Sequence, residues 1–290
     1  MTNVAVDEQE FTPSVHVYEP HKAGLPRLRP YLRELWHRRQ FINELSRTNM
    51  RAAHTNTVFG QIWLVINPLL LACVYFLLVQ VIANRGDSEF FVHLVGGLFA
   101  YYYFSGAVTT GASSVVGGGK LLMNISFPKL MLPLSALRTA FFRFLPTLAV
   151  YFVIRLAFGQ GFHWEMLLSV YFLLMLTLFA AGMGMFVAAI QVYFRDMTAF
   201  LPYFLRIWLY LSPVLWYPED VTKYSDHPWI EFLMKLNPLY SMLGGWGDTI
   251  VAGEVPALSL WLGAAAWALP VLAIGALFYM SREREFVVRL

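Results

Sequence analysis

Six apolar stretches long enough to cross a bilayer occupy most of this chain, and almost no carboxylate lies inside them. A helix needs roughly 20 apolar residues to cross about 30 Å of hydrocarbon. The stretches run over residues 61–83, 91–116, 130–158, 164–192, 197–217 and 257–280. With 58% hydrophobic and only 13% charged residues, the chain cannot cover a soluble surface of this size. The expected fold is an all-α integral membrane protein with six transmembrane helices. A carboxylate at membrane depth is the usual mark of proton or cation coupling. Here Asp and Glu sit in loops and at span edges, so energy for uphill movement must come from a partner.

The basic residues set the orientation. Eight of the 21 Lys and Arg precede residue 61. Lys120, Lys129, Arg195, Arg282, Arg284 and Arg289 fall on the same side once the N-terminus is placed in the cytoplasm, leaving Arg85, Lys223 and Lys235 outside. The positive-inside rule then puts both termini in the cytoplasm and makes the span count even. The net charge of +3 reflects this basic inner face. It points to anionic lipid or a protein partner, not to nucleic acid.

Residues 1–30 read as a polar, acidic, Pro-containing cytoplasmic tail without a signal-peptide core. Residues 31–60 read as an amphipathic helix in the cytoplasmic interface. Leu32, Leu35, Ile42 and Leu45 recur near helical spacing, with Arg33, Arg38, Arg39 and Arg47 between them. Residues 61–290 form the transmembrane domain. Between spans five and six, residues 218–256 are apolar but interrupted by Glu231, Lys235 and several glycines. Neither half can span, so two short re-entrant helices are expected at the outer end.

Several chemistries can be set aside. Gly119-Lys120 lacks both the first glycine and the hydroxyl of a phosphate-binding loop, with Ser114 and Leu121 in those places. The single Cys73 makes neither a disulfide nor a metal site, and the seven His are scattered. His93 reads as a packed polar residue. Arg138, Arg143 and Arg206 lie within spans, where charges face a bundle interior or a watery path. Arg155 is near the outer end of its span and is expected to reach the outer headgroups.

The order of several short motifs resembles the membrane subunits of ABC-type polysaccharide exporters, the permeases of O-antigen, capsule and teichoic acid. Arg51, then Gly60-Gln61-Ile62-Trp63 and Asn67-Pro68, is similar to the entry to that family's first span. Phe127-Pro128-Lys129 with Leu132-Pro133 resembles its first cytoplasmic loop. Phe194-Arg195-Asp196, Ser212-Pro213-Val214 and Leu236-Asn237-Pro238-Leu239 resemble later turns. The likeness covers residues 28–290. Members often carry an Arg shortly after the Asn-Pro-Leu motif; here Trp246 and Asp248 stand in that neighbourhood.

The resemblance implies a homodimeric permease in the bacterial plasma (inner) membrane. Two copies of a cytoplasmic P-loop ATPase would drive it. The chain itself would be no enzyme and hold no cofactor; ATP and Mg would belong to the partner. The cargo would be a polyprenyl-diphosphate-linked polysaccharide, O-antigen-like or a cell-wall galactan. By position, Lys120, Leu121, Leu122, Phe127, Pro128 and Lys129 would couple to the ATPase. Tyr101, Tyr102, Tyr103, Phe104, Tyr203 and Tyr210 would line a glycan path, since sugar C–H faces stack on aromatic rings. Arg47, Arg51, Arg195 and Arg206 would meet the lipid diphosphate, and Trp216, Asn237, Pro238 and Trp246 would form an outer gate. Arg195-Asp196 is equally readable as an ordinary helix cap. The alternatives are an ABC-2 permease for a lipid or drug, which would favour an apolar cavity, and a secondary transporter, which would need a buried acid or an inverted repeat.

Overall fold

The computed structural model describes residues 24–52, 60–83, 88–217 and 228–290, and among them all regular structure is helical. The first 23 residues of the expected tail lie outside the described residues, as does 218–227. Helices α1 (Leu28–His37) and α2 (Arg39–Ala52) precede α3 (Trp63–Ala83) and α4 (Ser88–Gly117). A short α5 (Gly119–Asn124) leads to α6 (Met131–Ala157), α7 (Ser169–Tyr193) and α8 (Met197–Tyr210). The chain ends with α9 (Pro228–Leu236), α10 (Pro238–Gly247), α11 (Leu258–Arg282) and α12 (Phe286–Arg289).

Among the described residues, four helices are long and apolar enough to cross a membrane: α4, α6, α7 with its leading turn from Trp164, and α11. Of the other two expected spans, α3 has 21 residues, with Val65–Leu78 its apolar part among the described residues. The fifth stretch was expected to reach residue 217, but α8 stops at Tyr210 after 14 residues. That is about 21 Å of helix. Pro213 explains the stop, because it lacks an N–H and its ring clashes with the preceding turn.

Helices α4 and α7 form the centre; α6 packs on α4, and α11 packs along α7. Lipid-facing surfaces gain little from hydrophobic burial against each other, so close backbone packing must hold the bundle. Gly182 and Gly275 supply it between α7 and α11. A Cβ on Gly275 would lie 2.1 Å from the Gly182 carbonyl oxygen, and one on Gly182 2.5 Å from that of Val271. The outward faces of α6 and α11 remain apolar, with Val153, Leu156, Leu262, Leu269 and Ile274 exposed.

Helix α10 turns back into the bundle and packs on α11, α7 and α4. It continues as a π-helical turn, Asp248–Ala252, that ends at Gly253 in the left-handed conformation (φ 69°). Backbone that leaves a helix inside a bilayer needs protein partners for its carbonyls. Arg155 is that partner. Its Nη1 donates to the carbonyls of Ile250 (2.7 Å) and Val251 (3.0 Å), and its Nε to that of Gly161 (3.1 Å). The side chain is fully buried, so Arg155 does not reach the headgroups as expected from its position. A cation at a helix C-terminus also meets the negative end of the dipole.

Candidate functional site

Among the described residues, three grooves run along α4 and meet at Thr110. One opens between α3, α4 and α8 and has a volume of about 630 Å³. Its wall carries Tyr75, Tyr101, Tyr102, Thr109, Arg206 and Tyr210, and no carboxylate. The Tyr75 and Tyr210 hydroxyls lie 3.2 Å apart, with their rings edge to face. Arg206 makes no hydrogen bond or ion pair among the described residues. This groove therefore presents phenol hydroxyls, ring faces and one open guanidinium. Such a surface suits a polyhydroxylated chain better than a bare hydrocarbon.

The aromatic residues named from sequence divide. Tyr101, Tyr102, Tyr210 and Arg206 come together in this groove. Phe104 does not; it is fully buried between Phe179 and Trp208. Tyr103 is also buried, its hydroxyl 2.8 Å from Thr177 Oγ1, and its ring edges a neighbouring groove. Tyr101 keeps its ring in the core and donates to the Leu205 carbonyl. Of the run 101–104 only Tyr102 is an exposed side chain, at 37%. Helical geometry forces this, since three successive residues point about 100° apart. Tyr203 is exposed but outside the groove lining. Tyr75 is a groove residue that sequence did not single out; its cue was being the one tyrosine of that span.

The basic end of the molecule is built around α5. Phe127 and Pro128 are buried, and Phe127 packs on Phe41 of α2 with ring centroids 5.1 Å apart. Leu122 is buried too, and Leu121 and Lys129 are half-buried. The outward surface of the expected coupling segment is thus Lys120, Met123, Asn124, Ile125 and Ser126, with Met123 62% and Ile125 48% exposed. Phe127 and Pro128 lie beneath that surface instead of on it.

Behind α5 a polar knot ties three elements. Tyr31 of α1 donates to Glu283 Oε2 at 2.6 Å and accepts from the Leu130 amide at 3.3 Å. Lys129 Nζ donates to the Glu283 carbonyl, and Tyr279 Oη to the Lys129 carbonyl at 2.9 Å. Arg38 adds a bond to the Ser126 carbonyl at 2.8 Å. Burial raises the Glu283 carboxyl above the ordinary carboxylate range, while Tyr31 and Lys129 pull it part of the way back. Burial also lowers the Lys129 ammonium and raises the Tyr31 phenol.

The remaining residues named from sequence are dispersed. Arg47 pairs with Glu44 at 3.0 Å on exposed α2, and Arg51 is exposed further along it. Arg195 is exposed at the turn before α8, where Asp196 makes no side-chain capping bond. Arg138 donates to Asn43 Oδ1 and lies over the Phe142 ring, linking α6 to α2. At the far end, Asn237 Oδ1 accepts from Leu239 N and from Trp208 Nε1, and its Nδ2 donates to the Leu211 carbonyl. With Pro238 at the first helical position, this fixes the start of α10. Trp216 stacks near Tyr240. Trp246 is only 3% exposed and donates to the Gly96 carbonyl, so it is a core residue.

Residues 39–246 match the ABC-2 type transporter family. The chain belongs to that family. It is 28% identical over 255 residues to the O-antigen export system permease protein RfbA of Myxococcus xanthus, covering 88% of this chain and 97% of that protein. It is 23% identical over 215 residues to an O-antigen export system permease protein RfbA of Klebsiella pneumoniae, covering 73% and 80%. As an ABC-2 type chain it is a multi-pass membrane protein and a transport subunit. Among the described residues no group of His, Cys, Asp and Glu is placed to hold a metal ion.

Two structural contacts of this ABC-2 chain had no sequence signal. The Glu283 knot joins residues far apart in the chain, and nothing local marks the pairing of Tyr31 with Glu283. Arg155 resembled any arginine at a span end, because its acceptors lie about a hundred positions downstream.

Proposed function

We propose that this chain is the permease subunit of an ATP-driven exporter of a lipid-linked, O-antigen-like polysaccharide. In this reading α3 and α8 complete six spans, α9 and α10 form the outer gate hairpin, and two copies enclose the path. The basic end faces the cytoplasm of a bacterial inner membrane, with both termini there. A separate P-loop ATPase docks on the exposed surface of α5, touching Lys120, Met123 and Ile125. The cargo carries a polyprenyl diphosphate, and a cell-wall galactan is one glycan the reading admits.

The observation that carries this reading is the groove beside α8. Tyr75, Tyr102, Tyr210 and Arg206 line an open furrow with no carboxylate, in a chain whose spans hold no acidic engine. Each sugar can stack and hydrogen-bond weakly there, then move on. ATP binding shifts such a path only through contacts that differ between states, and in this reading α5 and the Glu283 knot transmit them.

Depletion of the chain in its own cells is the test. Surface polysaccharide should fall, and lipid-linked glycan should accumulate inside. Normal surface glycan in depleted cells would overturn the proposal.

A further inference from the structure

Two of the grooves along α4 meet at Arg143, and they differ in character. The first lies between α3, α4 and α6 and has a volume of about 580 Å³. Its wall is mainly apolar, with Leu70, Leu71, Phe99 and Phe144. The second lies between α2, α4, α5 and α6 and measures about 470 Å³. It carries Asn49, Ser113, Ser114 and Lys120. Thr110 and Arg143 line both, and no carboxylate lines either.

Arg143 sits at this border half-buried. Its one bond among the described residues is a 3.5 Å contact from Nη2 to the Asn49 carbonyl. A guanidinium has five donors, and a cation at membrane depth without an acid is costly unless an anion or water meets it. Lys120 is exposed in the polar groove, and its ammonium has no partner among the described residues. The two grooves in series thus form an amphipathic cleft, apolar toward the bilayer interior and cationic toward the basic end.

We infer that this cleft binds a single-chain lipid with a phosphorylated headgroup. The hydrocarbon lies in the α3/α4/α6 groove, and the phosphate or diphosphate is held by Arg143 and Lys120. The inference rests on the lipid-linked cargo proposed above and places its anchor on residues different from those suggested by sequence. Arg47 is already paired with Glu44, and Arg206 faces the phenol-lined groove on the other side of α3. A headgroup at Arg143 would leave the attached glycan next to Thr110, where the phenol-lined groove begins. Electrostatic and bidentate contacts from arginine suit a diphosphate.

The test is binding of geranylgeranyl diphosphate to the full-length chain purified in detergent, read by native mass spectrometry. Geranylgeraniol and inorganic diphosphate serve as competitors. Wild type should bind the lipid diphosphate, and neither competitor should displace it at equal concentration. Arg143→Gln should weaken binding at least tenfold, Arg143→Lys by less, and Arg206→Gln should leave it unchanged. Leu70→Trp, which fills the exposed apolar groove and keeps every charge, should also weaken it. Equal binding by wild type, Arg143→Gln and Leu70→Trp would overturn the site. So would full displacement by inorganic diphosphate, which would mark a free-anion site. A photoreactive version of the probe that labels α8, or a second copy found cross-linked over α3 and α6 in its place, would overturn it as well. The probe carries no sugar, so the two proposals fail separately. Lipid binding at Arg143 with normal surface glycan in depleted cells would sink the export proposal alone. Loss of surface glycan with no lipid diphosphate bound would sink the site alone.

Discussion

Arg155→Met removes the cation that holds the π-helical turn after α10. The change keeps most of the side-chain volume and deletes three hydrogen bonds, to Ile250, Val251 and Gly161. A hydrogen bond to a charged group contributes about 1.5–3 kcal/mol. Summing three would overstate the loss, because the buried guanidinium carries its own desolvation cost. Leaving a buried carbonyl short of its donor costs about 1–3 kcal/mol, and with the Ile250 and Val251 carbonyls both affected the loss is about 2–5 kcal/mol. The Val251 carbonyl then loses its side-chain donor, the Ile250 carbonyl keeps only a 3.4 Å contact from Tyr151 Oη, and the exposed Gly161 carbonyl can turn to water. At about 2–4 °C per kcal/mol the thermal midpoint should fall by roughly 10 °C. The assay is size-exclusion chromatography of the heated, detergent-solubilised chain carrying a fluorescent tag. Arg155→Lys, which can keep the charge and part of the bonding, should fall between the two. A Met variant within about 2 °C of wild type would refute the assignment of Arg155 as the cap of this turn.

Other expectations follow from named contacts. Gly275→Ala places a methyl against the Gly182 carbonyl, so α7 and α11 must separate; the loss should be at least about 1–3 kcal/mol in the same heating assay. Glu283 has a folded pKa above its unfolded one, so folding takes up a proton there. That contribution is complete below about pH 4.3 and fades as pH rises through the folded value. Glu283→Gln keeps the acceptor for Tyr31 and cannot titrate, so its midpoint should gain on wild type as pH rises above about 4.3; a pH-independent difference would show that Glu283 keeps an ordinary pKa. Met123→Asp with Ile125→Asp alters only exposed side chains and should leave the midpoint within about 0.5 kcal/mol of wild type. The pair should lower ATPase binding in pull-downs at least tenfold; full binding would move the docking surface off α5.

The span-length helices were legible because runs of apolar residues have few alternatives in lipid. For the fifth span the apolar run carried the expectation through Pro213 to residue 217, and the proline's stop at Tyr210 was not read from the sequence. What sequence could not supply was the direction of each side chain. Phe127 and Met123 both read as apolar residues of one short segment, yet packing against Phe41 hides the first and leaves the second outside. Tyr101 to Phe104 read as one aromatic cluster, while the helix sends Tyr102 to the groove and Phe104 to the core. Arg155 read as an arginine reaching the outer headgroups and Arg143 as one facing a bundle interior or a watery path. Only the fold shows that the first is satisfied by carbonyls of a distant turn and the second faces two open grooves.

The central claim is that this chain depends on a separate ATPase for its work. Affinity purification of the tagged chain in mild detergent, with mass spectrometry of its companions, tests that most directly. A P-loop ATPase recovered in equal amount is the predicted result. A homo-oligomer without any ATPase, from cells expressing the neighbouring genes, would contradict it.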